Sequence, residues 1–182
     1  MPEVKPENEG HMKTRVALCT MLISITATVA LGQQVSVNFN QSQSFAQYHT
    51  YSWGSNNANQ VKDSILAQVA KQSIDSALQS KGLQKVNEDQ NPDLIVTANG
   101  GMKQETSYTA MGMGGFGRFG GGYGTITPEQ NVVGTLIVDL DAAKTQTLVW
   151  RGIAQDTLNN NGDKNQKMVQ KAVEKMFKKW PK

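Results

Sequence analysis

The chain has 182 residues, 38% of them hydrophobic, and a formal net charge of +3. That length admits one domain with a real core and not comfortably two. A charge this weak gives no footing for a nucleic-acid partner, and clear apolar periodicity excludes disorder throughout.

Residues 1–11 are acidic and carry two prolines, Pro2 and Pro6. They read as an upstream extension outside the fold, with translation starting at Met12; an added tail is the alternative. Lys13 and Arg15 then precede an uncharged run, Val16 to Leu31, and Ala30-Leu31-Gly32 sets small residues where a signal peptidase reads. Residues 12–32 are therefore expected to be a signal peptide cleaved after Gly32, leaving 33–182 as a single exported domain. The competing reading is a retained membrane anchor, for which the run is shorter than the ~20 residues a spanning helix needs. Cys19, the only cysteine, follows Leu18 at the start of that run. It is misplaced for lipid attachment. The expected location is the periplasm or the outer membrane, with no anchoring cysteine. The domain itself then has no disulfide, thiol nucleophile or thiolate ligand.

Val35 to Phe39 alternates apolar and polar residues, which predicts a half-buried strand. Thr50 to Trp53 predicts a second, and Gly54 to Asn59 a turn. From Val61 the period changes. Ile65, Leu66, Val69, Ile74 and Leu78 share a helical face, and Gly82 sits where a helix ends. Leu83 to Val86 is a possible short strand. Leu94 to Ala98 predicts another, with Lys103 to Thr109 returning antiparallel after Gly100-Gly101. Residues 111–124 carry eight glycines and read as a loop. Val132 to Leu140 and Thr147 to Ala154 form a hairpin about a turn at Asp141 to Thr145. A turn of that length leaves the register open by one, and with it the side to which Trp150 points. Asp163 to Trp180 is a second amphipathic helix, stopped by Pro181. Strands joined by short turns with two amphipathic helices predict an α+β two-layer sandwich, mainly antiparallel, with both helices on one face.

Several stretches resemble the bacterial "domain of unknown function 4136" family of envelope proteins. They are Phe45 with Tyr48 to Trp53, Lys81-Gly82, Asn91 to Val96, Gly134 to Asp141 with Leu148 to Gly152, and Phe177 to Pro181. Their order and spacing span residues 35–181. The resemblance implies an exported domain, often a lipoprotein, with no assigned activity. This chain departs from the lipoprotein members by lacking the anchoring cysteine.

Catalytic chemistry finds little to work with. The expected domain has one histidine, His49, and serine catalysis needs an imidazole. Zinc sites need several histidines or cysteines, so no metal or other cofactor is expected. Asp139 and Asp141 share one strand face, with Asp93 and Asp156 at strand ends. They leave open a carboxylate-dependent hydrolase or a cation site, against the plainer reading that Asp139 pairs with an arginine and Asp141 begins a turn. The glycine-rich segment matches a nucleotide-loop spacing only formally, since no helix follows it. Its Phe116, Arg118, Phe119 and Tyr123 are candidates for self-association or adhesion. Lys164, Lys167, Lys171, Lys175 and Lys178 form a stripe on the second helix. With no glutamate read as their partner, they are candidates for anionic envelope polymers or lipids, or plain solubilising charge. Trp150-Arg151 is either a ligand-stacking pair or a buried tryptophan beside a paired arginine. The reading that results is a non-catalytic binding or structural protein of the envelope, its partner unknown.

Overall fold

The computed structural model describes residues 33–54, 61, 63–112 and 124–181. Strands β1 (Gln34–Phe39) and β2 (Thr50–Trp53) come first, followed by helix α1 (Ser64–Ser80) and the two-residue β3 (Gln84–Lys85). Two long strands, β4 (Leu94–Gly112) and β5 (Gly124–Ala142), precede β6 (Thr147–Thr157) and helix α2 (Gly162–Lys178). The six strands make one sheet in the order β1-β6-β5-β4-β2-β3.

The α+β sandwich holds, with two refinements. The pairs β1–β6, β6–β5 and β5–β4 are antiparallel, but β2 runs parallel to both β3 and β4. Helix α1 lies between β2 and its partners in the chain, and a helical crossover returns the chain in the direction it left. The second refinement is a correction. No turn occurs at Gly100-Gly101, and Lys103 to Thr109 is not a separate returning strand. β4 passes straight through both glycines and pairs with β5 without a break, from Leu94↔Ala142 to Gly112↔Gly124. The segment given as the 111–124 loop is therefore strand at both ends, and residues 113–123 lie outside the described residues.

Strand parity sorts the side chains. Leu94, Val96 and Ala98 of β4 and Leu136, Val138 and Leu140 of β5 are buried on the helix side. Trp150 pairs with Leu140, so it faces the helices too; Val149 is the extra residue of a bulge that lets β6 keep that phase. Helix α2 lies over β6 and β1, α1 over β3 and β4, and the helices touch each other. Helix α1 starts at Asp63, whose carboxylate accepts from the backbone of Ile65 and Leu66. It ends as expected at Gly82, whose φ of +88° suits a residue without Cβ.

Trp150 is the centre of the core. Its ring stacks on Phe177 with 4.8 Å between centroids and lies 5.9 Å from that of Trp180. Gly152, two residues on, makes room for it. A Cβ there would stand 2.7 Å from the Trp150 ring and 2.8 Å from Met176 Sδ, whereas one at Gly101 would touch nothing. Gly152→Ala should cost about 1–3 kcal/mol by overpacking, and Gly101→Ala less than about 0.5 kcal/mol. Urea denaturation of the two variants checks the contrast.

Candidate functional site

The face of the sheet away from the helices carries the candidate carboxylates. Asp139 stands opposite Arg151 in the β5–β6 ladder. Arg151 donates from Nε at 2.6 Å and from Nη2 at 2.7 Å, one to each carboxylate oxygen. Such a fork gives two parallel charge-assisted bonds. It leaves Asp139, only 9% exposed, engaged on both oxygens. Asp141 shares the face, as its spacing implies. Burial pushes its carboxyl up, the neighbouring charge of Asp139 adds to that, and Arg151 opposes it. It lines a shallow recess with Thr97, Glu88 and Lys144.

Asp93 does not join that pair. Its Oδ2 accepts from the backbone N–H groups of His49 and Thr50 at 2.9 and 3.0 Å and from the Thr50 hydroxyl at 3.1 Å. The Thr50 hydroxyl oxygen in turn accepts from the Asp93 N–H. This clamp aligns the start of β2 beside β4. Burial works against the Asp93 charge, but these donors outweigh it and hold the carboxyl below its usual range. His49 is exposed, and Asp156 is half-buried with its carboxylate accepting from the Thr157 N–H. Among the described residues no three acidic, histidine or cysteine side chains come together as metal ligands would.

Trp150 and Arg151, neighbours in sequence, point to opposite faces and form no stacking pair: the tryptophan is fully buried and the arginine holds Asp139. The Trp150 Nε1 has no hydrogen-bond partner among the described residues. The five lysines Lys164, Lys167, Lys171, Lys175 and Lys178 are exposed along α2. The stripe is not without a glutamate, however. Glu174 lies one turn before Lys178 and pairs with it at 2.7 Å. Phe116, Arg118, Phe119 and Tyr123 fall outside the described residues. A slot between the helices and the sheet, lined by Leu66, Ala70, Leu136, Met168 and Val169, encloses about 70 Å³. That is below the ~300 Å³ at which small-molecule sites begin.

Sequence reasoning missed one carboxylate that gathers three donors. Asp75, on α1, turns toward β2 and accepts from Tyr51 Oη at 2.9 Å, Trp53 Nε1 at 2.8 Å and Lys85 Nζ at 2.8 Å. The Lys71 ammonium lies 5.1 Å from the centre of the Trp53 ring. The signal lay in β2. Tyr51 and Trp53 share a face, and buried phenol and indole groups need an acceptor from whatever covers them.

A family model described as "Domain of unknown function (DUF4136)" matches residues 35–182. The chain belongs to this family. A DUF4136 family protein from Bacteroides thetaiotaomicron has the same fold, at 15% identity and a TM-score of 0.50 over 80% of this chain and 94% of that one. A PDZ domain protein from Parabacteroides distasonis aligns at 14% identity and a TM-score of 0.51 over 82% of this chain. This chain spans 37% of that protein's length. A PelC dodecamer from Paraburkholderia phytofirmans aligns at 12% identity and a TM-score of 0.49, covering 80% and 95% of the two chains. No curated protein matches. At these identities the likeness is one of fold.

Burial works against the charge of Asp75, but the donors from Lys85, Trp53 and Tyr51 outweigh it and lower its pKa. A depressed folded pKa adds stability that is present above the unfolded value, about 3.9, and is lost as pH falls through the folded one. Asp75→Ala should therefore destabilise the domain by about 2–4 kcal/mol near neutral pH, with the deficit shrinking below about pH 4. Urea denaturation of both proteins from pH 7 to pH 2.5 measures it.

Proposed function

We propose that this member of the DUF4136 family is an exported envelope domain that acts by binding or by structural support, and not by catalysis. The observation that carries the reading is the employment of the carboxylates. Asp139 is held in the Arg151 fork, Asp93 in the β2 clamp, and Asp75 by three donors from β2 and β3. General acid–base chemistry needs a carboxyl free to gain and lose a proton within reach of a substrate. Each of these three is committed to holding strands in place.

The leader supports the compartment. Two positive residues, an uncharged apolar run and small residues at Gly32 are the parts of an export signal. An α2 face carrying five lysines suits contact with anionic polymers or headgroups of the envelope, since such contacts follow charge density.

One specific observation favours a second reading. Asp141 has a raised pKa and lines a recess, the setting in which a carboxyl acts as an acid. A hydrolase built on it would lose its activity on Asp141→Asn. The purified domain is expected to leave ester, phosphate and glycoside panels uncleaved; a turnover abolished by Asp141→Asn defeats the non-catalytic reading. Export is checked separately. Intact-mass measurement on an envelope fraction should return a chain beginning at Gln33, and full-length protein confined to the cytosol would defeat the localisation.

A further inference from the structure

One strand edge of this sheet is long and unpaired among the described residues. β3 is only two residues long. On β1, the carbonyl of Val35 accepts from Lys179 Nζ at 2.9 Å. β5 is covered by β6 up to Val132, whose carbonyl accepts from the Leu158 N–H. Beyond that point Pro128 stands in phase with Val132, so its missing N–H falls on the exposed side. Proline and lysine are two of the devices that stop a sheet edge from recruiting another strand.

β4 has no proline, and its single lysine, Lys103, is paired with Glu105 of the same strand at 3.6 Å. The Val96 carbonyl accepts from the Gly54 N–H, so the even-numbered residues of β4 aim their backbone groups away from β5. β2 stops at Trp53, opposite Val96. From Gly100 to Gly112 the outward N–H and C=O groups have no partner among the described residues, and no proline interrupts them. Among the described residues this part of β4 pairs with β5 alone, and an isolated two-stranded ribbon is marginal in water. One face of the arm also carries exposed apolar side chains among Gln104, Thr106 and Gln130. Met102, Tyr108 and Ile126, 48%, 72% and 65% exposed, all fall on the helix side.

We propose that this edge pairs antiparallel with the same edge of a second copy of the chain, about a twofold axis at Thr106. Length selects the axis: Thr106 is the midpoint of the free run from Gly100 to Gly112, so the whole run is used and Gly112 stops opposite Gly100, short of β2 of the other copy. Charge agrees. An axis at Lys103 or at Glu105 would oppose like charges, which destabilises a sheet. An axis at Gln104 matches Lys103 with Glu105 but drives the arm tip into the place of β2. With the axis at Thr106, Glu105 lies opposite Ser107 and Lys103 opposite position 109, and no two like charges meet. Thr106 faces its own copy, Tyr108 lies beside Gln104, and Met102 and Tyr108 of both copies share one face of a four-stranded ribbon. This pairing depends neither on the compartment nor on the absence of catalysis.

Residues 32–182 form a compact unit without cysteine, which makes single-cysteine probes clean. Light scattering across a dilution series should return the mass of a dimer that dissociates. Thr106→Pro removes only an outward N–H, so it should weaken the dimer by roughly tenfold or more while the far-UV spectrum and thermal midpoint of the dilute monomer stay unchanged. Thr106→Cys should oxidise to a disulfide-linked dimer, because directly opposed residues lie within disulfide reach. Glu105→Cys should not, its two copies lying roughly 8 Å apart. A wild-type mass that stays monomeric up to the solubility limit overturns the proposal. So does a Thr106→Pro dimer as tight as wild type, or Glu105→Cys cross-linking as fast as Thr106→Cys.

Discussion

The unbroken ladder between β4 and β5 is the constraint on which the rest of the domain depends. Nineteen consecutive pairs without a bulge fix the parity of both strands along their whole length. One parity meets the helices and becomes the core; the other becomes the open face with Asp139 and Asp141. A slip of one residue would exchange the two sets, turning Asp139 toward the helices and Val138 away from them. β6 inherits this phase, and the bulge at Val149 corrects it where the turn would otherwise carry it out of step. Trp150 thus reaches the core while Arg151 reaches the carboxylate behind it.

The polar groups divide by the same geometry. On the helix side, Tyr51 and Trp53 bring polar atoms inward, and Asp75 meets them from α1. On the open side, the Asp139–Arg151 fork ties β5 to β6. At the lower edge, Asp93 fastens β2 to β4, where a parallel pair of only three residues would otherwise be weak. Asp75 and Asp93 act where the short strands β2 and β3 close one side of the sheet, and Asp139 acts between two of its interior strands.

Much of this was legible in the sequence. Both helices, the hairpin after Gly134 and the halt at Gly82 follow from periodicity and from glycine's freedom at positive φ. The length of β4 was not. Gly100-Gly101 reads as a turn because glycines usually mark one, yet here Val61 packs over Gly100 and the strand runs on. The parallel placement of β2 was hidden too, because pairing across α1 leaves no local trace. The role of Asp75 left no local trace either, since its partners are contributed by strands more than twenty residues earlier and ten later. The Arg151 fork could be anticipated as one of two readings of Asp139, but only the register decides between them.

The pairing of β1 with β6 has a consequence for how the chain assembles. β1 is made first, yet its only sheet neighbour lies more than a hundred residues downstream. The hairpin from β4 to β6 closes over short separations and can form early; the amino-terminal strand must wait, unmatched, until nearly the entire polypeptide is available. The opening strand of the domain can therefore be fastened down only once β6 has been made.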